Sequence, residues 1–437
     1  MARAKKETAL TPEERLQAAL VPDWEWPYKL PENWCWTYFK SISTIQTGKK
    51  DANYGSDEGK YPFFTCAAEP IRCHGYSFDC RAILLAGNGD INNISRYNGK
   101  FEAYQRTYVV KIAEPLCFDY IFYWFKYRWF DFNKGKMFGT AIPYIRLGNL
   151  QEFPTPIPPL AEQQRIVDRI ESLFAKLDEA KEKAQAVVDS FETRKAAILH
   201  KAFTGELTAK WRRTHGLSLD TWKEVAADSL FEYVTSGSRG WAKYYDESGA
   251  VFIRMGNLDH GTIELDFSDI QHVKLPNKAE GQRSRIRKND ILISITADVG
   301  MVGLVRNDDF EGYINQHIAL ARPVMSESAE FIAWYLVSDI GLKQMQEKQR
   351  GATKVGLSLN DIRALQLKIP LIEEQNEILK VIKMWIGKEQ QTKEAAEAVL
   401  DQIDLMKKSI LARAFRGELG MNDPNEESAV ELLKQLI

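Results

Sequence analysis

Two long segments of the chain carry apolar residues at alternating intervals of three and four positions. Such intervals place the apolar side chains on one stripe of a helix and predict packing against a partner helix. Each segment predicts a helix of about 43 residues, which is about 65 Å long at 1.5 Å per residue. The first stripe is Ile170, Leu173, Leu177, Ala180, Ala184, Val187 and Phe191. The second, interrupted near Glu389 and Thr392, is Ile378, Ile382, Trp385, Ala396, Val399, Ile403, Met406 and Ile410.

The region before each long segment has a different pattern. Short apolar or alternating runs such as "RAILLAG" and "DILISITA" are bounded by Gly, Asn and Asp, and they predict strands joined by tight loops. Amphipathic stretches follow at 118–130 and 330–345. The predicted fold class is therefore α+β, with two similar globular regions that each precede a long helix.

One sequence motif, Ala-Phe-x-Gly-Glu-Leu, occurs twice. "KAFTGELTAKWR" begins at Lys201 and "RAFRGELG" begins at Arg413. At an offset of 212 residues, Glu162-Gln163 also aligns with Glu374-Gln375, so the chain consists of two diverged copies of one unit. In both copies the glycine of the repeated motif, Gly205 or Gly417, follows the last apolar position of the helix. It predicts a left-handed C-cap, with the preceding Phe packed back on the last helical turn.

This repeat predicts six segments. They are an N-terminal extension (1–29), a first globular domain (30–156), a first long helix (157–212), a second globular domain (213–368), a second long helix (369–420) and a C-terminal tail (421–437). Within the extension, Thr11, Pro12 and Glu14 are spaced like a capping box and predict a short helix.

Composition limits the possible classes of protein. The formal net charge is −2, so binding to nucleic acid would need local basic patches or a more basic partner. The five cysteines lack the paired spacing of zinc sites, and no metal is expected. No apolar run is long enough to span a bilayer and no signal peptide is recognised, so a cytoplasmic protein is expected.

Catalytic signatures are missing from the sequence. It contains no phosphate-binding G-x-x-x-x-G-K-[ST] loop, no G-x-S-x-G elbow and no H-E-x-x-H motif. The Asn-Pro-Pro-aromatic motif of adenine methyltransferases is absent as well. We therefore expect a non-catalytic chain.

Loops that mix basic, amide and aromatic residues occur in both copies and suggest contact with DNA. Lys and Arg contact phosphates, whereas Asn, Gln and Arg also bind base edges. The alternative for any one loop is a basic loop that is merely solvated. The candidates in the first copy are Lys49, Lys50, Asn53, Tyr54, Asn92, Asn93, Arg96, Lys134 and Lys136. Those in the second are Ser238, Arg239, Lys243, Tyr244, Arg285, Lys288, Arg350, Thr353 and Lys354.

The chain resembles the specificity subunits of type I restriction-modification systems over nearly its whole length. The resemblance is carried by "IPPLAEQQRIVDRIESLFAKLDEAK" (157–181), "KAAILHKAFTGELTAKWR" (195–212) and their second copies, "IPLIEEQNEILKVI" (369–382) and "KKSILARAFRGELG" (407–420). It implies two target-recognition domains, each recognising one half of a bipartite asymmetric site in double-stranded DNA. It also implies that the long helices form an antiparallel coiled coil.

The resemblance further implies partner proteins. Two methyltransferase subunits that use S-adenosylmethionine, and two restriction or motor subunits that use ATP and magnesium, would assemble with this chain, which itself would hold no cofactor. The alternative class is a duplicated coiled-coil scaffold that binds only protein partners. The near-neutral charge favours the scaffold slightly, and the doubled basic-aromatic loops oppose it.

Overall fold

The computed structural model describes residues 10–237, 239–275, 281–350 and 356–437. The chain divides into two compact units. Unit 1 comprises Met1–Glu182 and Val399–Ile437, and unit 2 comprises Lys183–Ala398. Each unit therefore contains one globular region and a part of each long helical segment.

Residues 10–189 form four α-helices and eight strands. The helices are α1 (Pro12–Ala19), α2 (Phe118–Asn133), α3 (Leu147–Gln151) and α4 (Leu160–Asp189). The strands are β1 (Cys35–Tyr38), β2 (Ser43–Thr47), β3 (Tyr61–Phe64), β4 (Ile71–Cys73), β5 (Phe78–Ala86), β6 (Ile94–Ala103), β7 (Thr107–Ile112) and β8 (Pro154–Ile157). The predicted capping box is present at α1, where Thr11 and Glu14 exchange hydrogen bonds of 2.7 and 3.2 Å.

The described residues from 191 onward contain the corresponding strands in the same order, with additional helices. The helices are α5 (Phe191–Phe203), α6 (Ala209–Thr214), α7 (Ala329–Val337), α8 (Asp339–Glu347), α9 (Leu359–Arg363), α10 (Ile372–Ala414) and α11 (Ala429–Leu436). The strands are β9 (Lys223–Ala226), β10 (Phe231–Ser236), β11 (Tyr245–Asp246), β12 (Ala250–Ile253), β13 (Gln271–Val273), β14 (Ile291–Ser294), β15 (Val302–Leu304), β16 (Gly312–Ile314), β17 (Ile318–Pro323) and β18 (Gln366–Ile369).

The sheets of the two units share one topology. Unit 1 has a six-stranded sheet in the order β2-β7-β5-β6-β3-β4, in which only the β3–β6 pair is parallel. Unit 2 has β10-β17-β14-β15 and β11-β13-β12-β16, with β12 and β16 parallel. The long strand β6 joins both parts of the unit 1 sheet, whereas β15 and β16 divide the same role between them. The α+β class and the internal repeat are thus confirmed.

The repeated Phe–Gly motifs end the long helical segments with left-handed glycines, as predicted. Gly205 and Gly417 adopt left-handed φ values of 81° and 73°. Phe203 packs on Phe331 and Tyr335 of α7, with ring centroids 5.3 and 5.2 Å apart. Phe415 likewise contacts aromatic residues of α2, including Trp124 at 5.0 Å. Each Phe thus lies in an aromatic core beside its helix end, and its packing on the last helical turn stays a prediction.

A buried glutamate at the start of α10 holds several segments of unit 2 together. The Glu374 carboxylate accepts hydrogen bonds from Thr208 Oγ1 at 2.7 Å and from Trp222 Nε1 at 3.0 Å. It also forms a 2.5 Å ion pair with Arg212, whose side chain is only 8% exposed. Thr208 and Arg212 follow the first copy of the Gly-Glu-Leu motif. The segment after this motif therefore contacts the start of the second long helix.

Glu162 has the equivalent place in unit 1, with different partners. It is fully buried and accepts hydrogen bonds from Trp34 Nε1 at 2.8 Å and from Asn422 Nδ2 at 3.0 Å. Asn422 follows the second Gly-Glu-Leu motif. Among the described residues, no arginine forms an ion pair with Glu162 as Arg212 does with Glu374, and burial raises the pKa of the Glu162 carboxyl above its usual value.

The glutamines of the two Glu-Gln motifs also share one role. Gln163 Nε2 donates to the Pro158 carbonyl and Gln375 Nε2 donates to the Pro370 carbonyl, both at 3.0 Å. Each glutamine thus fixes the proline-containing segment that leads into its long helix. Gln163 Oε1 additionally accepts the backbone N–H of Cys117, just before α2.

The first long helical segment is interrupted at one residue. Ser190 separates α4 from α5, and its hydroxyl donates to the Ala186 carbonyl at 2.5 Å. A serine side chain bonded to the preceding turn bends a helix. The predicted 43-residue length applies only to α10. Among the helices described, none is both long and apolar enough to cross a membrane.

The two long segments run antiparallel where they meet. In unit 2, Arg194 forms a 2.5 Å ion pair with Glu389, and the Lys393 ammonium lies 5.0 Å from the ring centroid of Phe191. In unit 1, Lys407 pairs with Asp178 and lies over the ring of Phe174. The predicted coiled-coil linker is therefore present.

The predicted stripe of α10 is partly wrong. Ile378, Ile382, Ala396 and Ile403 are buried as expected, but Trp385, Val399 and Met406 are exposed. The next residues, Ile386, Leu400 and Lys407, are partly buried in their place. The actual seam includes Glu389, Lys393 and Lys407, because each of these polar side chains has a partner on α4 or α5. A pattern of apolar residues alone misses such positions.

We expect the two buried glutamates to respond differently to the same substitution. Glu374→Gln leaves the Arg212 guanidinium buried without a counterion and should lower the free energy of unfolding by about 3–5 kcal/mol. Glu162→Gln keeps an oxygen acceptor for Trp34 and Asn422 and should change it by less than about 1 kcal/mol. Urea unfolding followed by tryptophan fluorescence measures both, with the exposed Glu373→Gln as control. Equal losses in the two variants would contradict this account.

Glu162 should also make stability depend on pH. Its pKa is raised by burial in the folded state, so between the ordinary and the raised value the folded chain binds more protons than the unfolded chain. Stability contributed by this group is present below that window and is lost as pH rises through it. Glu162→Gln should therefore gain stability relative to the wild type as pH rises from about 4 to 7. A stability difference that stays constant over that range would refute the assignment.

Candidate nucleic-acid interface

Four loops of unit 1 meet at one edge of its sheet. They are residues 47–50 after β2, 87–90 after β5, 104–107 between β6 and β7, and 134–146 between α2 and α3. Backbone hydrogen bonds join them: Gln105 N to Lys50 O at 2.9 Å, Gly87 N to Arg106 O at 2.8 Å, and Ile145 N to Gly87 O at 2.9 Å. We call this group the first loop cluster.

Glycines make this close approach possible. A Cβ atom on Gly48 would lie 1.9 Å from the Ala103 carbonyl oxygen, and one on Gly87 would lie 2.2 Å from the Arg106 carbonyl oxygen. No other residue fits at either position without moving the backbone. The loops are therefore held against each other by their main chains.

Unit 2 builds the same arrangement, which we call the second loop cluster. Its described parts are residues 236–237 and 239, 295–298, 315–318, and 348–350 with 356–358. Ile295 N donates to His317 O at 2.9 Å, and Leu357 N donates to Ile295 O at 2.8 Å. These bonds match those of Gly87 with Arg106 and Ile145, so Arg106 and His317 are structurally equivalent.

The other glycine contact is repeated too. A Cβ atom on Gly237 would lie 2.1 Å from the Ile314 carbonyl oxygen, as Gly48 approaches Ala103 in unit 1. Isolated bridges pair Thr296 and Arg350 with Gly356, matching Asn88 and Phe138 with Tyr144. The two clusters thus share a backbone frame and differ in side chains.

Cations of the first loop cluster lie on aromatic rings. The Arg146 guanidinium is 3.9 Å from the centroid of Phe138, and the Lys136 ammonium is 3.6 Å from that of Phe132. Lys50 lies 4.5 Å from the ring of Tyr54. A cavity of about 430 Å³ opens among the loops and is lined by Thr47, Gly87, Gln105, Arg106, Tyr108, Tyr144 and Ile145.

The predicted site residues of the first copy fall into two groups. Lys49, Lys50, Lys134 and Lys136 belong to the first loop cluster, with Asn53 and Tyr54 in the short 3-10 turn that follows. Asn92, Asn93 and Arg96 do not belong to it. Asn93 donates to the Cys66 carbonyl at 2.9 Å, and Asn92 lies in a turn capped by Asp90. Arg96 pairs with Asp119 of α2 and lies 4.0 Å from Glu171 of α4.

The second copy shows a similar division. Arg239 and Arg350 belong to the second loop cluster, and Lys243 and Tyr244 lie in the 3-10 turn beyond it. Arg285 and Lys288 precede β14, where Arg285 forms an isolated bridge with Tyr313. Arg350 also contacts Asp361 at 3.3 Å. Ser238, Thr353 and Lys354 lie outside the described residues.

Sequence reasoning missed the turn at the centre of each cluster. Gln105 and Arg106 are exposed in unit 1, and Gln105 Nε2 donates to Asp51 at 2.8 Å. Gln316 and His317 are their equivalents in unit 2. These turns are short and carry little charge, so no composition signal marks them. Only the strand pairing places them between the other loops.

The described residues contain no group of three or more His, Cys, Asp or Glu side chains that could hold a metal ion. The loop clusters instead expose cations, amides and aromatic rings on a fixed backbone. Such groups are suited to phosphates and base edges.

Comparison with known proteins identifies the family. The model for the type I restriction modification DNA specificity domain matches residues 31–188 and 220–398, which is more than half of the chain. The chain is 26% identical over 409 residues to the EcoDI type I restriction enzyme specificity subunit of Escherichia coli, covering 90% of each protein. It is 25% identical over 362 residues to the EcoBI specificity subunit of the same species, covering 79% of this chain and 75% of that one.

Solved structures support the fold. A chain from a structure of type I restriction-modification complex assembly and conformational transition superposes with a TM-score of 0.64 at 19% identity. The HsdS subunit from Thermoanaerobacter tengcongensis superposes with a TM-score of 0.58, also at 19% identity. Each comparison covers 90% of this chain and the whole of the other. With its two matched domains, the chain belongs to the type I restriction-modification DNA specificity family.

Proposed function

We propose that this chain is the DNA specificity subunit of a type I restriction-modification complex, and that each loop cluster contacts one half of a bipartite, asymmetric site in double-stranded DNA. The observation that supports this most is the repetition of one backbone frame with different side chains. Equal frames would approach DNA in the same way. Different side chains, such as Arg106 and His317, would recognise different bases.

The chemistry of the loops supports DNA as the ligand. Lys49, Lys134 and Arg239 are exposed cations of the kind that contact phosphates. The amides of Gln105 and Gln316 and the arginines can form bidentate contacts with base edges in the major groove. Because the net charge of the chain is −2, such local groups, together with a basic partner, would supply the attraction to the phosphates.

We also propose that catalysis belongs to partner subunits. Two methyltransferase subunits would use S-adenosylmethionine, and two restriction subunits would use ATP and magnesium, while this chain holds none of these. Exposed apolar residues on α10 suit protein contact. Leu405 and Met406 are 65% and 49% exposed in unit 1, and Met384 and Trp385 are 46% and 42% exposed in unit 2.

Replacement of a lysine in the first loop cluster tests the contact with DNA. In the complex with the methyltransferase, Lys49→Ala should weaken binding to all duplexes alike and reduce the slope of log K against log salt by about one unit, because one phosphate contact is lost. Titrations at several salt concentrations measure this. Lys176→Ala, an exposed cation on α4, is the control.

Arg96→Ala is the matched variant outside the cluster. Its guanidinium is already paired with Asp119, so the salt slope should not change. If neither Lys49 nor Arg239 affected the slope, the loop clusters would not contact DNA. A protein-only scaffold would then be the better function.

A second test addresses the partner subunits. Leu405→Asp should weaken assembly with the methyltransferase about tenfold, because a charge replaces an exposed apolar contact. The thermal unfolding temperature of the isolated chain should not change, since the side chain is exposed. Affinity measured by surface immobilisation of the methyltransferase provides the readout, with Lys408→Ala as control. If Leu405→Asp bound the methyltransferase as tightly as the wild type, this part of α10 would be excluded as a contact.

A further inference from the structure

The arginines of the first recognition domain differ in one respect. Six arginines lie between residues 30 and 156, and five have a partner for the guanidinium. The partners are the Gly59 carbonyl for Arg72, Asp119 for Arg81 and Arg96, Asp131 for Arg128, and the Phe138 ring for Arg146. Within the described part of the chain, the exposed Arg106 guanidinium has no hydrogen bond, ion pair or ring contact.

The backbone at Arg106 is nevertheless fixed. Its carbonyl oxygen accepts the N–H of Gly87 at 2.8 Å and lies 3.5 Å from Cys66 Sγ. The flanking bonds Gln105 N to Lys50 O at 2.9 Å and Thr107 N to Tyr104 O at 2.8 Å hold the rest of the turn. A free side chain on a rigid turn loses only its own rotamer freedom on binding, which favours specific contact.

The position of the turn also matters. It is hydrogen-bonded to the 47–50 loop on one side and to the 87–90 loop on the other, so Arg106 lies in the middle of the first loop cluster and lines its cavity. Lysines occupy the surrounding loops. Lysine is a point charge suited to phosphate, whereas the planar fork of arginine matches guanine O6 and N7.

We propose that Arg106 determines specificity for a guanine in one half-site by a bidentate contact in the major groove. This inference rests on the proposed DNA-binding function and adds a residue and a base to it. The lysines of the cluster would set the position of unit 1 on the phosphates. Arg106 would then contact the base edge.

The equivalent residue of unit 2 explains why this contact is not repeated. His317 Nδ1 lies 2.7 Å from Thr296 Oγ1, and His317 Nε2 lies 3.0 Å from Gln316 Nε2. The imidazole is therefore held by its neighbours and offers no free fork. The same backbone position carries a different recognition group in each unit, as an asymmetric site requires.

The test uses the full chain assembled with its methyltransferase partner. Methylated sites are sequenced from cells, and binding is measured on duplexes randomised at each position of the recognised site. Arg106→Ala should reduce discrimination at one guanine of one half-site by about tenfold to a hundredfold and leave all other positions unchanged. Arg106→Lys should relax the same position, because it keeps the charge and loses the fork. Lys49→Ala, in contrast, should preserve the recognised sequence.

Several outcomes would overturn the proposal. Uniform weakening by Arg106→Ala with an unchanged sequence would make Arg106 a phosphate contact, and relaxation at a base other than guanine, or in both halves, would also refute it. A wild-type complex with a bipartite site but unaltered Arg106 variants would refute this inference alone. A wild-type complex without sequence preference would refute the proposed function itself. Because Arg106 is exposed and unpaired, both variants should unfold at the wild-type temperature, which a thermal scan checks.

Discussion

The rest of the structure depends on a carboxylate buried at the start of each long helix. A buried charge is tolerated only where hydrogen bonds or a counterion satisfy it. Glu374 meets this requirement through Arg212, Thr208 and Trp222. Glu162 meets it only in part, because Trp34 and Asn422 both donate to Oε2, and burial raises the pKa of its carboxyl. In each unit the carboxylate joins a helix start, the segment before the first strand, and the segment after the end of the other long helix. The globular region and the helical parts of each unit are therefore fixed together.

This arrangement explains why the Gly-Glu-Leu motif occurs twice. The segment that follows the first copy donates a hydrogen bond to Glu374, and the segment that follows the second copy donates one to Glu162. Each helix end also places a phenylalanine in an aromatic core, Phe203 beside α7 and Phe415 beside α2. The repetition is structural. It also means that unit 1 combines two separate stretches of the chain, Met1–Glu182 and Val399–Ile437, whereas unit 2 is the single stretch Lys183–Ala398.

The sequence predicted those features of the fold whose signals are local. Helical periodicity, the cap at Thr11 and the left-handed Gly205 and Gly417 depend on neighbours in the chain, and the structure confirms them. The seam of α10 was misplaced at Trp385, Val399 and Met406 because its polar members have partners almost 200 residues or more away, such as Arg194 for Glu389. Long-range partners decide which polar residues are buried.

The same limit applies to the candidate interface. Composition identified basic loops, but it did not distinguish a cation that is already paired from one that is free. Arg96 is a candidate by composition, yet Asp119 occupies its guanidinium, whereas Arg106 was overlooked in a short turn and has no partner in the described structure. Pairing is set by tertiary contacts, so the sequence indicates the region of a binding surface better than its individual residues.

The duplicated frame separates residues that build the loop clusters from residues that face outward. Glycine is required at positions 48 and 237 because a Cβ atom there would lie only 1.9 and 2.1 Å from a carbonyl oxygen. Main-chain hydrogen bonds hold the loops whatever side chains they carry. Positions such as 106 and 317 contribute their carbonyls to that frame and their side chains to the surface. A substitution of Arg106 changes the chemistry offered to a ligand without removing a side-chain contact in the described structure, whereas a substitution of His317 also removes its contact with Thr296. A frame of this kind lets two copies of one fold carry different binding preferences.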